Sequence, residues 1–121
     1  MAELNLGRIR VLLGGPSSER EISLKSGDAV YRALLGKGIE AVPIDIKTED
    51  EEKNISLILK EEISCAFLAL HGRFGEDGQI QAILEGMRMP YTGSDARASR
   101  LAMDKVASRK IFSSAGLNVP D

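Results

Sequence analysis

The sequence predicts an α/β fold: an open parallel sheet with helices on both faces and strand order 2-1-3-4. Three observations carry this. Short branched apolar runs alternate with longer stretches of helical period, a strand–helix–strand–helix–strand order that requires a parallel sheet with helices on its faces. The third run, Cys65-Ala66-Phe67-Leu68-Ala69-Leu70, is apolar at every position, as a strand covered on both faces must be. The second run contains Pro43, which cannot donate to a ladder and so belongs at a sheet edge. Right-handed crossovers then leave the order 2-1-3, with a fourth strand beside the third.

Each element has a local reason. Ile9-Arg10-Val11-Leu12-Leu13 is short, branched and ended by Gly14-Gly15-Pro16, so it reads as a strand stopped by a turn. Ser18-Glu19-Arg20-Glu21 has the Ser-x-x-Glu spacing of a capping box. A helix follows it to about Gly36, with Ile22, Ala29, Val30, Ala33 and Leu34 turned inward, and Gly36-Lys37-Gly38 stops it. Ala41-Val42-Pro43-Ile44-Asp45-Ile46 is the second strand. The acidic run 49–52 reads as a solvated helix start, with Ile55, Ile58 and Leu59 as that helix's apolar stripe. After the third strand comes a glycine-rich loop over 71–78. Ile80, Ile83, Leu84 and Met87 then recur at the spacing of one helix face. Pro90-Tyr91-Thr92-Gly93 is a brief strand or turn, Asp95 caps a helix through Leu101, and a last periodic stretch runs to Gly116.

Composition excludes several classes of function. A chain of 121 residues is about one domain, and 43% apolar with 28% charged residues describes a globular protein. A net charge of −2 offers no basic footprint for nucleic acid. No apolar run approaches the ~18 residues of a membrane helix, and Met1-Ala2-Glu3-Leu4-Asn5 does not look like a signal peptide. Cys65 has no second thiol to pair with, which fits a reducing cytoplasm. With no Trp, two Tyr and three Phe, the core is aliphatic.

In the order 2-1-3 the winding reverses between the first and third strands, and ligands of open α/β sheets bind at such a switch point beyond the carboxyl ends of the strands. The loops there begin at Gly14 and His71. A dinucleotide fingerprint is absent: counted from Gly14, its second glycine is Pro16 and its third is Glu19. No Gly-x4-Gly-Lys-Ser/Thr phosphate loop occurs either. Glu19 has two readings, as a first-turn carboxylate complementing the helix dipole or as an acceptor for a ligand ammonium group in the crevice. Ser23 and Gly27 share its helix face, a small polar stripe that lets another segment approach. His71, the single histidine, follows a buried strand on the same sheet edge as Glu19 and reads either as structure or as a site residue. One histidine and one strand cysteine do not make a zinc site. Glu76 and Asp77 read as loop hydrogen-bonders and a cap for the helix from Gly78.

The loops also resemble a known family. Val11-Leu12-Leu13-Gly14-Gly15 with Ser18-Glu19-Arg20-Glu21-Ile22-Ser23-Leu24 and Ser26-Gly27 is similar to the opening of D-alanine–D-alanine ligases. So are Ala69-Leu70-His71-Gly72 with Gly75-Glu76-Asp77-Gly78, and Pro90-Tyr91-Thr92-Gly93-Ser94 followed by Met103-Asp104-Lys105 and Ala115-Gly116-Leu117. These matches cover about half the chain, in order.

The resemblance implies a cytoplasmic ATP-grasp ligase of bacterial cell-wall (peptidoglycan) synthesis, which also serves cell shape. Such enzymes use ATP and Mg2+ to phosphorylate the carboxylate of one D-alanine, and the amine of a second attacks the acyl phosphate. It implies that residues 1–100 are a Rossmann-like pre-ATP-grasp domain and that 101–121 lead into the ATP-grasp domain. Glu19 and His71 become the candidate catalytic residues, Glu19, Ser23 and His71 the candidate D-alanine contacts, and Lys105 a nucleotide contact. Family members run well beyond residue 121, so the expectation is an N-terminal domain that is inactive alone, binds no ATP or Mg2+ by itself and forms a homodimer. Two alternatives stay open: a non-catalytic α/β binding or dimerisation module, and a ligase with D-lactate or D-serine as acceptor.

Overall fold

A computed structural model describes residues 7–59 and 65–120. The opening residues 1–5, read above for a targeting signal, and the last residue of the 101–121 segment lie outside it. β1 (Ile9–Gly14) is buried at all six positions and forms the middle of a three-stranded parallel sheet. β2 (Ala41–Ile46) runs beside it with Ile9 opposite Ala41 and Gly14 opposite Ile46. β3 (Cys65–Leu68) pairs with its other edge, Ile9 opposite Cys65 and Leu12 opposite Leu68. The order is 2-1-3, and Pro43 lies on the edge strand as its missing N–H requires.

The fourth strand of the expected 2-1-3-4 order is not formed. Tyr91 makes an isolated parallel bridge to Ala66, flanked by Ala66 N–H to the Pro90 carbonyl (2.9 Å) and Thr92 N–H to the Ala66 carbonyl (3.1 Å). The segment occupies the fourth position without extending as a ladder. Pro90 has no N–H to offer, the Thr92 hydroxyl takes the Leu68 amide, and the chain turns away at Gly93.

Alternate side chains of β1 feed two cores, as the pleat dictates. On one face Leu12 joins Ile44, Ile46, Ile58, Phe74, Ile80 and Leu84 under α2 (Glu51–Leu59) and α3 (Gln79–Gly86). On the other face Val11 and Leu13 meet Leu24, Val30, Tyr31 and Leu34 of α1 (Arg20–Gly36). Helices therefore cover both faces. Each fully buried aliphatic side chain contributes roughly 1.5–3 kcal/mol.

The start of α1 departs from the capping-box expectation. The N-cap is Glu19, without a side-chain capping bond, which leaves Ser18 and Glu21 one residue out of register with that motif. The Ser17 hydroxyl instead accepts from the Glu19 N–H at 3.1 Å, a local turn two residues long. The packed face of α1 also differs. Ser23 and Gly27 are its buried residues, whereas Ile22 is 60% exposed and Ala29 and Ala33 face solvent. A Cβ at Gly27 would land on the Leu13 side chain, so the helix lies closer to β1 than larger residues permit. That close approach, rather than apolar content, fixes the helix rotation.

In α2, Asn54 and Ile58 are buried and Ile55 half-buried, while Leu59, expected inward, is 63% exposed. α3 buries Ile80, Ile83 and Leu84 as its spacing requires. α4 (Ala96–Met103) is capped by Asp95, whose Oδ1 accepts from Ala98 N–H at 2.7 Å. Glu85 Oε1 reinforces that end, accepting from Ala96 N–H (3.1 Å) and Tyr91 Oη (2.8 Å). α5 (Lys105–Ser114), capped by Asp104, packs against α4 and buries none of its residues. The junction placed after residue 100 falls inside α4.

Candidate functional site

The loops after all three strands meet at one end of the sheet. They enclose a cleft of about 580 Å³ lined by residues 16–19, Lys47, Thr48, Glu49 and Arg73. Its lining comes from the loops after β1 and β2 and from Arg73 of the loop after β3, while His71, two residues before Arg73, stands beside the cleft and does not line it. Glu19 stands at its edge, on the first turn of α1. Among the described residues its carboxylate has no hydrogen bond or ion pair. It lies directly over Gly72, where a Cβ would strike it, and Gly72 has a φ of +73° that side chains disfavour. The glycine thus lets a free carboxylate close over the loop that carries His71.

His71 is half-buried, with each ring nitrogen facing a different group. Nε2 is 2.8 Å from the Ser26 hydroxyl and Nδ1 is 4.0 Å from Glu76 Oε1. Its carbonyl accepts from the Ser17 hydroxyl at 2.9 Å. Ser17 therefore ties the backbone of Glu19 to that of His71, residues from loops that are distant in sequence. Ser23 lies below the crevice, fully buried. Its hydroxyl donates to the Ala69 carbonyl and accepts from Gly14 N–H at 2.9 Å, joining the ends of both strands to α1.

Two ion pairs brace the rim. Arg73 grips Glu49 with Nε–Oε1 at 2.7 Å and Nη2–Oε2 at 2.9 Å, bridging the loops after β2 and β3. Arg20 meets Asp45 at 2.7 Å and donates to the Ile46 carbonyl at 3.0 Å. These carboxylates hold both guanidinium pKa values up. In the 71–78 loop, Asp77 accepts from Phe74 N–H (3.1 Å) and Gln79 N–H (3.2 Å). Its partial burial opposes ionisation, and the hydrogen bonds from Gln79 and these amides outweigh that, holding its pKa below the ordinary value. The helix cap itself is Gly78.

The structure thus brings Glu19 and His71 together, sets Ser23 beneath them, and leaves Lys105 exposed on α5 with no contact to either. Sequence reasoning passed over Ser17, Ser26 and the Glu49–Arg73 pair. Ser17 had a local signal, its two-residue spacing to Glu19. Ser26 stood only inside the Ser26-Gly27 motif, and nothing local linked it to His71, 45 positions away.

A family model described as D-ala D-ala ligase N-terminus matches residues 47–94. The D-alanine–D-alanine ligase of Trichlorobacter lovleyi is 52% identical over 97% of this chain, and that of Carboxydothermus hydrogenoformans is 51% identical over 94%. The solved D-alanine–D-alanine ligase from Bacillus anthracis, complexed with ATP, matches with a TM-score of 0.81 at 38% identity over 94% of the chain. Over nearly its whole length this chain is similar to about one third of D-alanine–D-alanine ligases, the part that the family model describes as their N-terminus. It spans 36% of the Trichlorobacter relative and 36% of the Bacillus chain. The VanG D-Ala:D-Ser ligase from Enterococcus faecalis shares the fold as well, with a TM-score of 0.77 at 30% identity over 94% of this chain and 43% of its own.

The crevice can receive a small ligand with an ammonium group, because Glu19 is an acceptor at a helix start with no partner among the described residues. No group of three or more His, Cys, Asp or Glu side chains converges among the described residues. No helix among them is long and apolar enough to cross a membrane.

Proposed function

We propose that this domain supplies the first D-alanine site of a cytoplasmic, ATP-dependent ligase. The reaction joins two D-alanines through a D-alanyl phosphate, for peptidoglycan synthesis. The observation that carries the reading is the free Glu19 carboxylate poised over Gly72 beside His71, in a chain half identical to such ligases. Glu19 accepts charge-assisted hydrogen bonds from the substrate ammonium. Ser17 keeps Glu19 and His71 in register through their backbones. His71 adjoins the carboxyl group that is activated. Ser23 acts from below, holding the ends of β1 and β3 at the spacing the site needs.

ATP supplies the phosphoryl group when bound. Lys105, exposed and unpaired, is the residue of this chain offered to a nucleotide phosphate. No group of three or more His, Cys, Asp or Glu side chains able to hold Mg2+ converges among the described residues. Phosphoryl activation depends on positioning and on stabilising developing charge. Glu19 and His71 do not provide that by themselves, so the 121-residue chain alone is expected to be inactive. Residues 101–121 then form the passage toward the nucleotide-binding part. A homodimer through this domain is part of the proposal, supported by Ile22 and Leu35, 60% and 46% exposed on α1. The likeness to the VanG ligase supports a second reading, D-serine as acceptor.

The test is phosphate release from ATP by the protein carrying this domain, with D-alanine, with D-alanine plus D-serine, and with neither. Release that requires D-alanine and yields D-alanyl-D-alanine supports the proposal. A mixed dipeptide selects the second reading, and release independent of D-alanine overturns both.

A further inference from the structure

His71 is bonded at its carbonyl and at Nε2 and faces a carboxylate at Nδ1, and the chemistry of the two ring neighbours bears on where its proton sits. The Ser26 hydroxyl has two neighbours able to accept its hydrogen: His71 Nε2 at 2.8 Å and the Ser23 carbonyl at 3.3 Å. The first is an ordinary hydrogen bond, and the second lies beyond the ~2.5–3.0 Å range of O–H donors. A hydroxyl hydrogen turned to Nε2 leaves that nitrogen bare, whereas one turned to the Ser23 carbonyl leaves Nε2–H to donate to Ser26, so this contact accommodates both tautomers. On the other side, Nδ1 faces the Glu76 carboxylate at 4.0 Å. That is too long for a direct bond, but a carboxylate there favours an N–H dipole over a lone pair and is within reach of a bridging water. Glu76 thus favours the Nδ1–H tautomer, which the Ser26 hydroxyl completes by donating to Nε2. The Ser17 bond to the His71 carbonyl holds the backbone while Ser26 holds the ring at Nε2.

We propose that Ser26 and Glu76 are positioning residues that lock neutral His71 as the Nδ1–H tautomer. It then works in the crevice as a hydrogen-bond donor to an oxygen, not as a base. Nε2 is occupied by a half-buried hydroxyl of α1, so the one N–H on offer points toward exposed Glu76. A carboxyl or acyl oxygen of the substrate takes the place that Glu76 marks. This last step rests on the ligase reading, whereas the tautomer does not.

Because the chain has a single histidine, its imidazole nitrogens can be read without assignment in a long-range 1H–15N spectrum. At a pH where the ring is neutral, the wild-type chain should show Nδ1 protonated and Nε2 bare. Ser26→Ala should return the ring to the Nε2–H form that free imidazole side chains favour. Glu76→Gln should move it part of the way, and Ser26→Thr should restore the wild-type pattern. Glu76 is exposed, so its variant keeps the test alive if Ser26→Ala does not fold. A wild-type ring protonated on Nε2 overturns the proposal, as does a pattern that neither Ser26→Ala nor Glu76→Gln moves.

In the protein carrying this domain, Ser26→Ala should lower kcat by ~10–100-fold with KM for D-alanine little changed, and Ser26→Thr should recover most of it. An unchanged kcat refutes the donor role. If wild-type protein shows no D-alanine-dependent turnover while the spectra behave as stated, the ligase reading falls and the Ser26–His71 assignment stands.

Discussion

β1 and α5 both carry large apolar side chains, yet their fates are opposite. All six residues of β1 are buried, whereas α5 buries none of its ten, with Val106, Ile111 and Phe112 exposed by 65%, 47% and 50%. The difference lies in what surrounds them. β1 has a strand on each edge and helices on each face, while α5 rests on α4. An apolar side chain becomes core only where the chain lays a second surface over it. The crevice is built on the stretch that has such surfaces, which is why Glu19 and His71 have defined neighbours. Lys105 is carried by the stretch that lacks them.

Paired truncations break this comparison most directly. Leu12→Ala, at a fully buried position, should cost about 2–5 kcal/mol in denaturant unfolding. Phe112→Ala should change stability by less than ~0.5 kcal/mol. Equal costs would mean that α5 has a packing partner in solution. Next in size is Ser23→Ala. It leaves a buried Gly14 N–H and Ala69 carbonyl without their partner and should cost about 1–3 kcal/mol.

The pH dependence of unfolding sharpens the comparison at the site's margins, with smaller effects. The Asp77 pKa is held below its ordinary 3.8, so its contribution is complete above that value and is lost as pH falls below it. Asp77→Asn should flatten that acid limb. The Tyr91 phenol is pushed up to about 12, first by burial and then by its bond to Glu85. Folding therefore favours its neutral form below pH 10, the phenol's ordinary value, and that stabilisation fades as pH rises toward 12. Tyr91→Phe should flatten the alkaline limb.

The sheet was legible because strand patterning and one proline suffice to order three strands. The helix faces were less so. Ile22 looked like core, and the small stripe of Ser23 and Gly27 pointed to a close approach without naming Leu13 as what approaches; packing distance decided the rotation of α1, and no count of apolar residues contains a distance. The fourth strand failed for a reason visible in outline, a proline and a glycine flanking Tyr91-Thr92, though the Thr92 hydroxyl that replaces a ladder bond could not be foreseen. At the site, strand order and residue type pointed to Glu19 and His71. Their supports came from Ser17 and Ser26, hydroxyls whose partners lie across the fold and leave no periodic trace.

The central claim is that Glu19 serves a ligand and not its own helix, since it makes no capping bond of its own. The most direct test is Glu19→Gln in the protein carrying this domain, with D-alanine-dependent ATP turnover and thermal unfolding measured on the same preparation. The account predicts a loss of turnover by ~100-fold or more, with stability shifted by no more than the ~0.3–1 kcal/mol of a first-turn carboxylate. Full turnover accompanied by a clear loss of stability would contradict it and make Glu19 a structural residue.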